Sequence, residues 1–262
     1  MTTEEFIIAL FCEIDDRMPS MTKHPQAKQY PSELVTIGLL FALKGGYFRA
    51  FYRWLKRDFD GHFGGLPHRT RLQRLLYTHR EWCQVFLAEA SFFTVIDSYG
   101  IELIHPIREG RSDQQIGKKG KSNWRWIVGG KLCFVLNHLG LIVAWECDTA
   151  NVYDGSAFQH LVEQLQEEML LFADMGFAKV DWQPTNLRLC HRGEWNVRMV
   201  VETVFSMLTY VCHFKHMAHK SWDYFESHLG YAMALFNLLV EWHGLQPDDY
   251  GFVHLSIAEF SL

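Results

Sequence analysis

Ser91–Glu102 reads SFFTVIDSYGIE, with an aspartate directly after Phe92, Phe93, Thr94, Val95 and Ile96. Five β-branched or aromatic residues in succession describe a strand buried on both faces, where a bare carboxylate is costly. Asp97 therefore either opens a turn with Ser98 and Gly100, or is held at a strand end for chemistry.

The surroundings of this strand favour an α/β reading. A basic loop, His105–Trp126, follows it; its GKKGKS has the look of a phosphate-binding loop, but Gln115 stands where that motif requires glycine. Trp126–Ala150 reads as a hairpin about Asn137–Gly140. Asp154 caps an amphipathic helix through Glu168, and MLLFAD (Met169–Asp174) gives another strand ending on an aspartate. From Glu194 to Phe214 the apolar residues Val197, Val200, Val201, Val204, Phe205, Leu208 and Val211 recur at helical spacing, with Glu202 between them. A last helix spans Tyr224–Gly244.

Before Phe92 the pattern is helical. Ser32–Arg57 reads as two helices parted by Gly45 and Gly46, with Ser32 as candidate cap. The second sets Arg49, Arg53, Lys56 and Arg57 beside Phe51, Trp54 and Leu55, one basic and one buried face. Another amphipathic helix begins at Arg69. This is a small, helix-turn-helix-like basic unit.

A chain of 262 residues, 48% of them apolar, is long enough for one large domain or two small ones. The net charge of −5 hides segregation. Arg49–Arg80 carries eight basic residues against two acids, Arg108–Lys131 seven against two, and Arg188–Lys220 five against two. The acids concentrate in Glu146–Asp181 and Trp222–Leu262. Such segregation gives an acidic protein basic faces that attract a polyanion. MTTEEF lacks a basic start, and no run approaches the ~18 apolar residues of a membrane helix; the expectation is a cytoplasmic protein without a membrane partner. The six cysteines show no CxxC pair, which fits reduced thiols. His213, His216 and His219 leave a zinc-stabilised protein as a weaker reading.

Acids thus stand at three separate places: Asp97, Asp174 and Glu202. Brought together they repel one another unless cations intervene, and hard oxygen ligands suit magnesium or manganese. Two such ions, about 3.5–4 Å apart, serve phosphoryl transfer. Asp148, Asp154, Asp181 and Glu194 are competing acids.

The phrases TVIDSYGIEL, LLFADMGF and WNVRMVVETVFSML resemble the DDE transposases of bacterial insertion sequences. In that family one aspartate follows the first strand, a second follows the fourth in an "aDxGf/y" phrase, and a glutamate lies on the next helix, matching Asp97, Asp174 and Glu202. The resemblance implies a ribonuclease-H-like mixed sheet flanked by helices over 91–244, a helical DNA-binding region over 1–90, and a C-terminal tail over 245–262. It implies a transposase that binds its element's ends and carries out magnesium-dependent strand cleavage and transfer, with two Mg²⁺ or Mn²⁺ ions at the three acids. Its partners are then double-stranded DNA, both terminal inverted repeats and target, with a homodimer in the synaptic complex. Many members place Tyr, Arg and Lys around the glutamate. Trp195, Arg198 and Thr209 stand there here, leaving Lys215 as a replacement lysine. Only 27 residues separate Asp174 from Glu202, too few for a large insertion. DNA contacts are expected from Arg49, Arg53, Lys56, Arg57, Arg108, Arg111, Lys118, Lys119, Lys121, Arg125, Arg198 and Lys215, and stacking from Trp124 or Trp126. A nuclease of the same fold and a non-catalytic DNA-binding regulator are the alternatives.

Overall fold

The structure, a computed structural model, describes residues 2–19, 23–122, 125–166, 169–179, 181–182, 184–191, 198–214 and 217–243, without the side chains of 198–200 and 243. Two compact units emerge. One is Met1–Phe86 with His216–Leu235, the other Leu87–Lys215 with Phe236–Leu262.

The first unit opens with α1 (Thr3–Arg17), whose capping box joins Thr2 and Glu5. In α2 (Pro31–Lys44) the cap position is Tyr30, not Ser32: the Glu33 carboxylate accepts from the Tyr30 amide at 2.6 Å. Ser32 is buried inside the helix, and its carbonyl accepts from the Thr36 hydroxyl. Gly45 and Gly46 end α2 with φ of 64° and 77°, a region open to glycine. The next helix, α3 (Phe48–Asp58), departs at 119°. It buries Phe48, Phe51 and Leu55 and leaves its arginines and lysine exposed. The fourth helix, α4 (Arg69–Thr78), is short, and a 3-10 turn at Arg80–Phe86 replaces the longer helix expected.

The second unit is built on a sheet of β1 (Phe93–Ile104), β2 (Lys118–Ser122), β3 (Arg125–Leu136), β4 (Ile142–Thr149), β5 (Leu170–Ala173) and β6 (Leu187–Leu189). The order is β2-β3-β1-β5-β6, with β4 also on β3. Strands β1, β5 and β6 run parallel, while β3 is antiparallel to β1, β2 and β4. The result is a mixed α/β sheet flanked by helices, as expected.

Alternation along each strand divides the sheet's two faces. Ile96, Cys133 and Val135 face Phe158, Leu161 and Val162 in one core. On the opposite face Tyr99 and Phe134 pack on Phe205 of α7 (Arg198–Tyr210). The helix expected over Asp154–Glu168 is broken into α5 (Asp154–Ala157) and α6 (Gln159–Gln164), where Phe158 leaves helical geometry and buries its ring. Residues 167–168 lie outside the description.

The last helix, α8 (Trp222–His243), contributes to both units. In the first, a Cβ on Gly38 would stand 2.2 Å from the Tyr231 ring, so at this point α2 approaches α8 this closely because residue 38 is glycine. The Tyr231 hydroxyl donates to the Leu76 carbonyl, and burial pushes its pKa well up. In the second, the Asn237 amide grips Ile142 of β4, accepting from its N–H at 2.8 Å and donating to its carbonyl at 2.7 Å.

Among the described residues, no single helix is long and apolar enough to cross a membrane. None of the six cysteines is joined to another by a disulfide.

Candidate active site

Strand β5 pairs with β1 only from Phe93 to Val95. Past that point β1 runs on against β3 as far as Ile104. Asp97 therefore does not end its strand, as expected, but lies within it, just beyond the last parallel pair. Antiparallel pairing through Ser98, Tyr99 and Gly100 overrides their local preference for a turn. Nor is the strand buried at its start: Phe92 and Phe93 are 69% and 56% exposed. Asp174 follows directly on the short β5. Carboxyl ends of parallel strands commonly frame a ligand crevice, and these two aspartates stand there.

A cleft of about 490 Å³ opens at this place, lined by Asp97, Asp174 and Glu202 together with Asp154, Lys131 and Lys121. Glu202 reaches it from α7, where Val201, Val204, Met207 and Leu208 take the buried positions. It is thus on the exposed face of α7 rather than between core residues. Ser206, Thr209 and Tyr210 continue the same helical stripe into the cleft.

Local hydrogen bonds fix the aspartates. Asp97 Oδ1 accepts from the Ser98 amide, and Asp174 Oδ1 from the Gly176 amide, each at 2.7 Å. A Cβ on Gly176 would stand 2.7 Å from Asp174 Oδ1 and 3.1 Å from Asp154 Oδ2, so these two carboxylates close on one spot. Asp154 Oδ1 is held by Lys131 Nζ at 2.8 Å. The Cys133 thiol beneath the site is pushed well up by burial, with the charges of Asp154, Asp97 and Glu146 adding to the shift.

Four carboxylates around one cleft are the donor chemistry of a hard divalent cation. Among the described residues, no three His, Cys, Asp or Glu side chains are yet grouped closely enough to hold one. The donor set fits the ion; the side chains as placed do not form a ready cage.

The remaining expected residues scatter. Arg49, Arg53, Lys56 and Arg57 are exposed on α3, where Lys56 pairs with Asp60 and Arg57 with Asp58. Arg108 and Arg111 are exposed in the segment after β1. Lys118, Lys119 and Lys121 belong to β2, a strand where a loop was expected; Lys119 pairs with Glu109 and only Lys121 lines the cleft. Arg125 faces Glu102 at 3.3 Å. The ring of Trp126 is 57% exposed. Arg198 opens α7, its side chain outside the description, as are Trp124, Trp195, Glu194, His216, Lys215 and the tail. Among the described residues His219 belongs to no three-ligand group; its Nε2 meets His228 Nδ1 at 2.8 Å. Lys131 escaped the sequence reading. Its signal is a lone lysine inside the apolar run IVGGKLCFVL.

Two comparisons with known proteins bear on this site. Residues 88–187 match the family model described as a transposase DDE domain, a span that holds Asp97, Asp154 and Asp174 and stops short of Glu202. The crystal structure of the Mos1 mariner paired end complex with Mn is similar at 12% identity, over 89% of this chain and 83% of that one. Its TM-score of 0.31 is too low to carry an argument. No curated protein matches. The family match and the cleft's aspartates fall on the same segment: residues 88–187 are similar to a transposase DDE domain, and Asp97, Asp154 and Asp174 lie within it.

Proposed function

We propose that the protein is a transposase that binds the ends of a mobile DNA element, cleaves a strand at each end and joins the freed 3′-hydroxyl to target DNA. The observation that carries the proposal is the single cleft lined by Asp97, Asp174 and Glu202, two of them inside the matched domain. These three acids are the ligands for Mg²⁺ or Mn²⁺, which when bound supplies Lewis-acid activation of the attacking oxygen and charge stabilisation of the leaving one. The chain's own part is to hold its carboxylates fixed and to steer DNA. Lys121, on the rim, is placed to meet a phosphate near the scissile bond. The turn of 119° between α2 and α3 lies in the range of helix-turn-helix units, and the exposed basic side of α3 suits a duplex backbone. We assign α3 to binding of the terminal repeats. A homodimer bridging two ends completes the proposed working form.

The test is a cleavage and joining assay on DNA carrying the element's ends, with Mg²⁺. Asp97→Ala, Asp174→Ala and Glu202→Ala are expected to abolish both steps and to leave DNA binding in place. Cleavage that survives all three substitutions refutes the assignment. A pre-cut end separates the alternatives: joined product marks a transposase, hydrolysis without joining a nuclease, and neither activity with retained binding a regulator.

A further inference from the structure

The cleft contains one ion pair that the three-acid reading does not use. Lys131 and Asp154 meet at 2.8 Å with side chains only 14% and 15% exposed. Lys131 Nζ donates a hydrogen bond to the Val152 carbonyl at 2.9 Å, and its contact with Asp154 Oδ1 is an ion pair without hydrogen-bond geometry, so the lysine is held from two sides. Lys131 lies opposite Gly100 in the ladder between β1 and β3, and both residues line the cleft. Asp154 divides its two oxygens. Oδ1 faces the lysine, while Oδ2 shares the Gly176 position with Asp174 Oδ1.

A largely buried pair of this kind is weak as a source of stability, because desolvation offsets most of the Coulomb attraction. Its placement among acids gives it a different use. We propose that Lys131 and Asp154 are positioning residues for the divalent-metal site: Asp154 adds a fourth carboxylate's field and a hydrogen-bond acceptor beside Asp174, and Lys131 holds it there while limiting the cleft's negative charge. The inference rests on the reading that Asp97, Asp174 and Glu202 bind the ion. Partners behind the direct ligands commonly set metal affinity by tenfold or more.

The two members then act with opposite signs. In Mn²⁺ titrations of the full chain followed by electron paramagnetic resonance, Asp154→Asn is expected to raise Kd about tenfold. Lys131→Gln, which removes a cation from the cleft, is expected to lower Kd several-fold. The pair is diagnosed by both signs together: looser binding in Asp154→Asn with tighter binding in Lys131→Gln supports it, and weaker binding in Lys131→Gln overturns it. Should that variant fail to fold, Lys131→Arg keeps the charge and must bind Mn²⁺ within about twofold of the parent, a larger loss overturning the idea. Mn²⁺ binding lost in Asp174→Asn but unmoved in Asp154→Asn and Lys131→Gln refutes the positioning pair alone. Binding that is absent from the parent chain, or unchanged in Asp174→Asn, overturns the three-acid reading and this inference with it.

Discussion

Substituting alanine for Gly176 tests the site with a single methyl group. The added Cβ would stand 2.7 Å from Asp174 Oδ1 and 3.1 Å from Asp154 Oδ2. Relaxed carbon–oxygen contact needs about 3.5 Å, so the Asp174 carboxylate must retreat by roughly 1 Å. Its retreat also strains the 2.7 Å bond from the Gly176 amide that holds it. The backbone itself has no objection, since Gly176 is absent from the positive-φ glycines. Stability should therefore change by less than about 1 kcal/mol, as for other surface substitutions. Catalysis should suffer far more, because a displacement of about 1 Å at a reacting centre costs on the order of 100-fold. The measurement pairs thermal unfolding with single-turnover cleavage of end DNA in Mg²⁺. A variant that folds normally and cleaves within threefold of the parent refutes the claim that Asp174 acts from its present position.

Three further outcomes follow from the packing. Asn237→Leu removes the acceptor of the buried Ile142 N–H, and the orphaned donor should cost about 1–3 kcal/mol in urea unfolding. Gly38→Ala drives a methyl into the Tyr231 ring, which overpacks the α2–α8 contact and should lower stability by about 1–3 kcal/mol, with relief in the double variant Gly38→Ala/Tyr231→Ala. Burial pushes the His219 pKa down to about 4 from an ordinary 6.5, so the folded protein keeps it neutral while the unfolded chain protonates it. The stabilisation is whole above pH 6.5 and is lost as pH falls toward 4, by at most about 3 kcal/mol. Urea midpoints at pH 7 and pH 5 should therefore differ more for the parent than for His219→Gln.

The parts legible in the sequence were those with a strong local period. The run before Asp97, the hairpin about Asn137 and the helix bearing Glu202 all follow from local composition or spacing, and the first and last of them position Asp97 and Glu202. What escaped depends on partners distant in the chain. Ser98, Tyr99 and Gly100 have turn composition but pair with Lys131, Leu132 and Cys133, so β1 runs through them. Strand β6 has three residues and exists only as a ladder on β5, too short for any period to show. Lys118–Ser122 likewise reads as basic loop until Arg125–Gly129 supplies its partner. Asp154 was visible as an acid, yet nothing near it in sequence announces Lys131.

The division of α8 between the units has a consequence for genetics. Tyr231 and His228, which pack on Gly38 and Phe41, are encoded about 190 codons downstream of the helix they complete. A stop codon anywhere between Phe86 and Trp222 would strip α2 of these neighbours, so the polypeptide left behind would be damaged at its beginning as well as its end. On the proposed function, truncation of the gene in this interval would then silence DNA binding and catalysis in one stroke, without leaving an intact amino-terminal fragment to compete for the same sites.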